Sequence, residues 1–227
     1  MEEANGGHDR GDALVSSAAR RICILGAEST GKTTLAQALA SHYACPWVPE
    51  CLRLFCQEQG RTPRRDEQAQ LMTQQCQAEL AALTRARQQG AAFVFCDTAP
   101  LLTAIYSNYI FSDPSLLPQG RSLHASYALT LLLAPDIDWV ADGLQRDGEH
   151  VRAPVHQFIE RELTALALPF VQIGGVGDSR LKAALEYIHQ TGSDSRASMV
   201  SCGGVASVNE SGSQSVLPYP SRFPDTC

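Results

Sequence analysis

Residues 21–34 read RICILGAESTGKTT, and this stretch decides the fold. The apolar run 21–25 is typical of a buried strand, and residues 26–33 match the pattern G-x-x-x-x-G-K-[ST]. The apolar residues that follow recur at helical spacing. A strand, a glycine-rich loop and a helix N-terminus in this order favour an anion, because the free N–H groups and the helix dipole both attract it. The stretch therefore predicts a loop that binds the phosphates of a nucleoside triphosphate.

Each residue type in this loop has a mechanical role in phosphate binding. The glycines let backbone N–H groups turn inward, Lys32 reaches the β- and γ-phosphate oxygens, and the Thr33 hydroxyl is a ligand for Mg²⁺. We therefore expect ATP and Mg²⁺ as cofactors, with Lys32 also a catalytic residue. The candidate nucleotide-binding residues are Gly26, Glu28, Ser29, Thr30, Gly31, Lys32, Thr33 and Thr34.

Strand-like and helix-like segments alternate along the rest of the chain. Further strands are predicted at residues 45–49, 91–97, 127–134 and 169–173, and helices at 34–40, 50–59, 64–89, 100–109, 155–166 and 179–189. Alternation of this kind implies a parallel sheet with right-handed crossovers. We predict an α/β fold of the P-loop NTPase class, a five-stranded parallel sheet in the order 2-3-1-4-5 sandwiched by helices.

The long helix and the segment at residues 110–121 carry more specific predictions. In the long helix at 64–89, we expect Leu71, Leu80 and Leu83 to be the apolar anchors. Residues 110–121 are rich in turn-forming residues, so we expect a turn-rich and mobile segment there.

The two ends of the chain differ in composition from the middle. Residues 1–19 are small and polar, without an apolar segment behind a basic start, so we expect a disordered extension and no signal peptide. Residues 190–227 are rich in Ser and Gly and end in a Pro-containing sequence. Such a segment buries too little apolar surface to offset its ordering entropy. We predict one ATP-binding domain over residues 20–189 and a disordered tail over 190–227.

Charge, apolar content and cysteine spacing argue against several classes of protein. The net charge is −6 without a block of Lys or Arg, so we expect no nucleic-acid partner. No apolar run approaches the ~20 residues that a membrane-spanning helix needs, so we expect no membrane. The eight cysteines contain no C-x-x-C pair, and Cys23 and Cys96 lie in apolar runs. We interpret the thiols as reduced and the protein as cytoplasmic, with the oligomeric state unknown.

Asp97 follows directly on the apolar strand candidate FVFC. A carboxylate at the carboxyl end of a buried parallel strand lies in the same crevice as the phosphate loop. There it either holds Mg²⁺ or accepts a proton from an attacking hydroxyl, and the sequence leaves both roles open. The alternative is an Asp that caps the helix beginning near Pro100. We favour the site, because the phosphate loop requires an acidic partner.

Two further pairs of residues are candidates for the same cleft. Arg146 and Arg152 flank a polar stretch that reads as a small lid, and an arginine there would neutralise the transferring phosphoryl group. The alternative is a solvated loop whose arginines have no specific role. Glu50 and Arg53 follow the second strand on the acceptor side, where they are candidate substrate-binding residues. Their spacing of three equally suits a plain ion pair on one helical face.

Four ordered motifs together resemble the NadR-like ribosylnicotinamide kinase domain, a family of AAA-type P-loop ATPases related in fold to nucleoside and nucleotide kinases. They are GAESTGKTTLAQALA at residues 26–40, VPE-x-x-R at 48–53, FCDT at 95–98 and LLLAPDIDWVADG at 131–143. The resemblance implies ATP-dependent phosphorylation of nicotinamide riboside to nicotinamide mononucleotide. It also implies that residues 26–33 bind ATP, that Asp97 is the acidic site, and that Glu50 and Arg53 bind substrate.

Different classes of function therefore compete. The first is a small-molecule kinase whose partners are ATP and a nucleoside-like acceptor. The second is a slow ATPase that acts as a nucleotide-dependent regulator through a protein partner. A third, a nucleic-acid-processing ATPase, fits poorly with the acidic net charge. Acceleration of ATP turnover by a small molecule would indicate the kinase, and acceleration by a protein would indicate the regulator.

Overall fold

The computed structural model describes residues 19–140 and 148–197, with side chains as far as residue 191. Contacts divide the chain into two units, residues 1–189 and 190–227. Of the second unit, residues 190–197 are described and are helical. The predicted disorder of the two ends falls almost wholly outside the described residues, so the domain limits stay predictions.

A five-stranded parallel sheet forms the middle of the first unit. Its strands are β1 (Arg20–Leu25), β2 (Trp47–Val48), β3 (Phe93–Asp97), β4 (Leu129–Leu133) and β5 (Phe170–Ile173). The order is β2-β3-β1-β4-β5, and every neighbouring pair is parallel. The predicted order 2-3-1-4-5 is therefore confirmed. Since β1 is central, the loop that follows it leaves the middle of the sheet's carboxyl edge.

Helices cover both faces of the sheet. They are α1 (Lys32–His42), α2 (Cys51–Gln59), α3 (Gln68–Gln88), α4 (Pro100–Phe111), α5 (Leu117–His124), α6 (Arg152–Ala165) and α7 (Asp178–Ala197). Short 3-10 turns lie at Arg65–Glu67, Pro114–Leu116 and Glu149–Val151. Within these ranges, no helix is long and apolar enough to cross a membrane.

Alternate residues of the central strands divide the core into two clusters. Cys23 and Leu25 face one cluster, which includes residues of α3, α4 and α6, while Ile22 and Ile24 face the other, which includes residues of α1 and α7. Both faces of the strand are thus apolar, as expected for a parallel sheet covered on two sides. Burial raises the pKa of the Cys23 thiol well above its usual value, which suits its interpretation as a small hydrophobe.

β2 is shorter than the predicted strand at 45–49, because prolines flank it on both sides. Pro46 precedes it and Pro49 follows it, and a proline lacks the N–H that a sheet ladder needs. β2 lies at the edge of the sheet, where this loss is tolerated. The short strand brings the chain to Glu50, directly before α2.

The core-facing side of α3 differs from the prediction. Leu71 is buried, but Leu80 is 55% exposed, so its assignment as an anchor was wrong. The positions that face inward are instead Gln75, Glu79 and Ala82, which recur at helical spacing. Leu80 follows Glu79 by one residue, which rotates it by about 100° towards solvent.

The turn-rich prediction for residues 110–121 was also wrong in part, because this segment contains the start of α5. Pro118 falls in the first turn of the helix, where its missing N–H costs nothing. Gly120 is buried against α4, and a Cβ there would lie 3.0 Å from the Cβ of Ala104 and 3.2 Å from the Cα of Leu101. Glycine at this point allows two helices to approach closely, although in sequence it reads as a turn signal.

His124 at the end of α5 makes stability sensitive to acid. Its side chain is buried, its Nε2 lies 2.9 Å from the Thr130 hydroxyl, and burial lowers its pKa to about 4. A neutral His with a lowered folded pKa stabilises the protein above about pH 6.5, and this contribution is lost as pH falls towards about 4. We expect His124→Gln, which stays neutral, to lessen the acid-induced loss of unfolding free energy by up to about 3 kcal/mol.

Urea unfolding between pH 7 and pH 4 measures this effect. The same replacement at exposed His42 is the control, and it should leave the pH dependence unchanged. Identical pH profiles for His124→Gln and the wild type would contradict the assigned role of His124.

Candidate active site

The phosphate loop joins the carboxyl end of β1 to the first residue of α1. β1 ends at Leu25 and α1 begins at Lys32, so residues 26–31 form the loop. Ser29 and Gly31 have φ angles of 55° and 79°, in the left-handed region. Left-handed residues in such a loop turn successive backbone N–H groups towards one concave side, which is an anion-binding geometry. The predicted order of strand, loop and helix is thus present.

Close contacts inside the loop fix its shape. A Cβ at Gly26 would lie 2.8 Å from Thr30 Oγ1 and 3.2 Å from the carbonyl oxygen of Leu133, so a larger residue does not fit. Thr30 Oγ1 donates to the carbonyl oxygen of Ala27 at 2.8 Å, and Lys32 Nζ donates to the same oxygen at 2.9 Å. The Lys32 ammonium group is thereby held inside the curve of the loop.

Asp97 lies directly beside the loop, as predicted. Ile24 in β1 is the register partner of Asp97 in β3, so the two strands reach the carboxyl edge together. The Thr33 hydroxyl in the first turn of α1 donates to Asp97 Oδ2 at 2.6 Å. The two residues predicted to bind Mg²⁺ are therefore in direct contact.

Asp97 is an unusual carboxylate, because it is only 1% exposed and its Oδ1 has no hydrogen-bond partner. Burial, reinforced by the charge of Glu50, raises the pKa of Asp97 to about 6. Lys32, the hydrogen bond from Thr33 and the charge of Arg53 oppose this shift. A buried carboxyl group whose pKa is raised towards neutrality and which lies beside a phosphate loop is a candidate functional group.

The oxygen atoms at this point fit Mg²⁺. In phosphate sites Mg²⁺ keeps several waters and takes one or two protein oxygens together with substrate phosphates. The Thr33 hydroxyl and the unbonded Oδ1 of Asp97 supply such a pair. In the parts of the chain that the structure describes, no group of three or more His, Cys, Asp or Glu side chains is arranged so that it could hold a metal ion. These two oxygens would therefore hold the ion jointly with the nucleotide.

Thr98 links Asp97 to Glu50 through a strained backbone. Its φ angle is 79°, which is an outlier for a β-branched residue and costs about 1–3 kcal/mol. The Thr98 N–H donates to the carbonyl oxygen of Ile24 at 2.9 Å, and its hydroxyl donates to Glu50 Oε1 at 3.3 Å. Thr98, directly after Asp97, thus contacts the carboxylate that precedes α2. This role of Thr98 is not predictable from the sequence, because Glu50 lies 48 positions away in the chain.

Two adjoining cavities meet at the loop. The first, about 300 Å³, is lined by residues 29–34 and by Ile137, Asp138 and Val140 from the segment after β4. The second, about 320 Å³, is lined by residues of α2, α4 and the segment 62–68. Three residues line both cavities: Ser29, Lys32 and Arg53. Lys32 therefore lies at the junction of the two cavities.

The second cavity combines charged and apolar walls. Its carboxylates are Glu28 and Glu50, and its guanidinium groups are Arg53 and Arg64. Its apolar part is formed by Leu52, Pro63, Leu102, Tyr106, Ile110 and Phe111. Glu28, predicted to bind nucleotide, lines this second cavity and is not among the residues that line the first.

The two predicted lid arginines have different outcomes. Arg146 lies outside the described residues, so its role stays a prediction. Arg152 is the first residue of α6 and is buried. Its Nη2 lies 2.9 Å from the carbonyl oxygen of Ile137 and 3.5 Å from that of Ser29. Arg152 thus contacts the phosphate loop at the Ser29 carbonyl group, and its predicted role in phosphoryl transfer stays a prediction.

A buried polar network that adjoins Glu50 was not predicted from the sequence. The backbone N–H of Cys51, next to Glu50, donates to Gln75 Oε1 at 2.9 Å, and Gln75 Nε2 donates to Glu79 Oε1 at 3.0 Å. Glu79 Oε2 accepts from Arg21 at 3.0 Å and from the Tyr127 hydroxyl at 2.5 Å. Burial raises the pKa of Glu79 despite these partners. The network anchors the start of α2 to the core.

Strand order, phosphate loop and the Thr33–Asp97 pair define a P-loop protein with the fold of nucleoside and nucleotide kinases. The profile of the AAA domain family matches residues 21–180, and the chain belongs to this family. No match is found among curated proteins.

Solved structures share this fold. In the crystal structure of NadR protein in complex with NR, the matched chain is 25% identical over 78% of this chain, with a TM-score of 0.68. In the crystal structure of NadR protein in complex with NAD and AMP-PNP, the identity is 22% over 77% of this chain, with a TM-score of 0.64. The chain spans about half of these NadR chains, 52% and 50%. Thymidylate kinase from Ehrlichia chaffeensis is 14% identical over 76% of this chain and 100% of its own length, with a TM-score of 0.55. The NadR-like resemblance is confirmed.

Proposed function

We propose that this protein transfers the γ-phosphate of ATP to a hydroxyl group of a nucleoside, with nicotinamide riboside as the first candidate. The observation that carries the proposal is the pair of adjoining cavities with Lys32 in the wall of both. Phosphoryl transfer depends mainly on positioning two substrates and stabilising charge, so a shared cationic wall is the feature it needs.

The donor half of the site is the phosphate loop with its acidic partner. Residues 26–34 would hold the ATP phosphates through backbone N–H groups and the Lys32 ammonium group. Thr33 and Asp97 would hold Mg²⁺, which neutralises charge on the phosphate oxygens. Arg152, which contacts the loop at Ser29, and Arg146 remain the candidates for stabilising the transferring phosphoryl group.

The acceptor half is the second cavity. Glu50 is held by Thr98, and its carboxylate would accept hydrogen bonds from ribose hydroxyls. Nicotinamide riboside carries a positive charge on its ring, and Glu28 and Glu50 are the two carboxylates of the cavity that would pair with it. Lys32, Arg53 and Arg64 line the same cavity, so this attraction depends on the local position of the carboxylates and not on the total charge of the lining. Tyr106 and Phe111 are aromatic surfaces for the ring. NadR has been crystallised with NR, and this supports the choice of acceptor.

The reaction would proceed by attack of the acceptor hydroxyl oxygen on the γ-phosphorus. A new P–O bond to the acceptor forms while the bond to the bridging oxygen breaks, and ADP leaves. The hydroxyl proton passes either to Asp97 or to solvent, depending on whether Asp97 acts as base or only as metal ligand. With nicotinamide riboside the product is nicotinamide mononucleotide, and this reaction would be a step in NAD biosynthesis.

An acceptor screen tests the proposal. We expect ADP release from Mg-ATP to be at least about 10-fold faster with nicotinamide riboside than without an acceptor, because positioning converts a bimolecular reaction into an effectively unimolecular one. Dihydronicotinamide riboside, whose ring is uncharged, is the matched control for recognition of the cation. Thymidine and the common ribonucleosides complete the panel.

Each result of the screen bears on a different part of the proposal. ADP release equal to the no-acceptor background across the whole panel would contradict the kinase function. If only another nucleoside accelerates ADP release, the kinase function is supported and nicotinamide riboside is rejected as its acceptor. Acceleration by a protein partner, with none by small molecules, would favour the regulator.

A further inference from the structure

Arg180 connects α7 to the phosphate loop. The residue lies in the first turn of the helix and is only 5% exposed. Its guanidinium group donates to the carbonyl oxygen of Thr30 and to the carboxylate of Asp136, and Nη2 lies 3.3 Å from the carbonyl oxygen of Ala134. No part of Arg180 lines either cavity. Its contacts reach the loop from outside the site.

Asp136 holds Arg180 in this orientation. One carboxylate oxygen accepts from Arg180, and the other accepts from the backbone N–H of Gly175 at 2.7 Å. Asp136 follows β4 and Gly175 follows β5. The pair therefore ties three segments at the carboxyl edge of the sheet to one another: the phosphate loop and the loops after β4 and β5.

Peptide geometry gives this contact a consequence for the site. In a trans peptide the C=O group and the following N–H group point to opposite sides, and the described backbone contains no cis peptide. A Thr30 carbonyl directed at Arg180 therefore directs the Gly31 N–H away from Arg180. Arg152 lies near the preceding carbonyl, that of Ser29, at 3.5 Å. Two buried arginines thus face two successive carbonyl groups of the loop.

We infer that Arg180 is a positioning residue for the phosphate loop. By holding the Thr30 carbonyl from outside, it fixes the direction of the Gly31 N–H towards the phosphates of the nucleotide. The left-handed conformation of Gly31 needs such support, because glycine restricts its own backbone less than any other residue. Arg180 lines neither cavity, so its effect would reach the nucleotide only through the backbone of the loop. The inference rests on the proposed binding of ATP but not on any acceptor.

Nucleotide binding to variants of Arg180 tests the inference. We expect Arg180→Ala to raise the Kd of Mg-ATP and Mg-ADP by about 10-fold or more, as is usual when a group that orients a ligand-binding group is lost. Arg180→Lys should raise them about 3-fold, since one ammonium group lacks the fork that reaches Thr30 and Asp136 together. Adenosine has no phosphates, so its Kd should stay within about twofold of the wild-type value. Isothermal titration calorimetry measures all three ligands.

Lys182→Ala is the matched control, because it removes one positive charge from the same helix at a side chain that is 79% exposed. It should bind all three ligands as the wild type does. If Arg180→Ala fails to fold, Arg180→Lys carries the test. Equal weakening of adenosine and ATP would indicate a general structural role and overturn the inference, as would unchanged affinities. A wild type that binds no Mg-ATP would contradict the proposed function as well. If the wild type binds Mg-ATP and the Arg180 variants bind it equally well, only the inference about Arg180 is contradicted.

Discussion

Replacing Lys32 by alanine is expected to lower kcat for phosphoryl transfer by about 10³-fold, the usual order for removing a cation that stabilises a transferring phosphoryl group. Lys32 is the residue whose charge reaches both cavities from the phosphate loop itself. Arg53 also lines both cavities, but it extends from α2. Without Lys32, the negative charge that develops between donor and acceptor would lose its nearest fixed partner.

The fold should survive this change. Lys32 Nζ donates to the carbonyl oxygen of Ala27, and the Thr30 hydroxyl donates to the same oxygen, so the carbonyl stays satisfied in the variant. Alanine is also a good helix former, so α1 should keep its first turn. We therefore expect a melting temperature close to that of the wild type, which separates loss of catalysis from loss of structure.

The sequence itself supplies a strict control, because the chain contains only two lysines, Lys32 and Lys182. Lys182→Ala should keep full activity. Measurement of kcat and KM for ATP and acceptor in all three proteins completes the test. If Lys32→Ala keeps full turnover, the measured activity belongs to another site or to a contaminant.

Features that depend on local sequence were predictable. The phosphate loop needs only eight consecutive residues, and an acid at the end of an apolar strand identifies Asp97 without knowledge of its neighbours. The sheet order followed from alternation of strands and helices together with the NadR-like motifs. These signals lie within single segments or follow from chain order.

Features that arise between distant segments were not predictable. Arg180 meets Thr30 across 150 positions in the chain, and Thr98 meets Glu50 across 48. The one signal for Arg180 is its place on the inner side of α7 with Ala184 and Ile188, at four-residue spacing. A charged residue on the buried side of a helix indicates a buried polar contact, but the sequence does not show which residue is its partner.

The same limit explains the errors in α3 and α5. Glu79 takes a core position because Arg21, from β1, and the hydroxyl of Tyr127 satisfy its carboxylate. Without that knowledge an apolar neighbour such as Leu80 is the better candidate. Gly120 reads as a turn residue until α4 is placed against it. In each case tertiary contacts outweigh local preference.

Asp97→Asn is expected to move activity and stability in opposite directions. Loss of the carboxylate should lower kcat by about 10²–10⁴-fold, whether it removes a base or a metal ligand. In the protein free of nucleotide and metal, Asn should be more stable by about 1–3 kcal/mol at neutral pH, because burial disfavours the charged form of Asp97 whereas the amide is neutral. Asn keeps an oxygen that accepts the Thr33 hydroxyl. Urea unfolding at neutral pH measures the gain.

The dependence of the remaining activity on Mg²⁺ separates the two roles of Asp97. If Asp97 holds the ion, the variant should need more Mg²⁺ for half-maximal activity, since its neutral amide is a poorer ligand than a carboxylate. If Asp97 is the base, the Mg²⁺ requirement should stay at the wild-type value while kcat falls at every concentration. Asp113 forms an ion pair with Arg65 away from the site, so Asp113→Asn is the matched control. It should change neither kcat nor the Mg²⁺ concentration for half-maximal activity. Wild-type kcat in Asp97→Asn would exclude both roles, and the buried carboxylate would then have to be explained as structural.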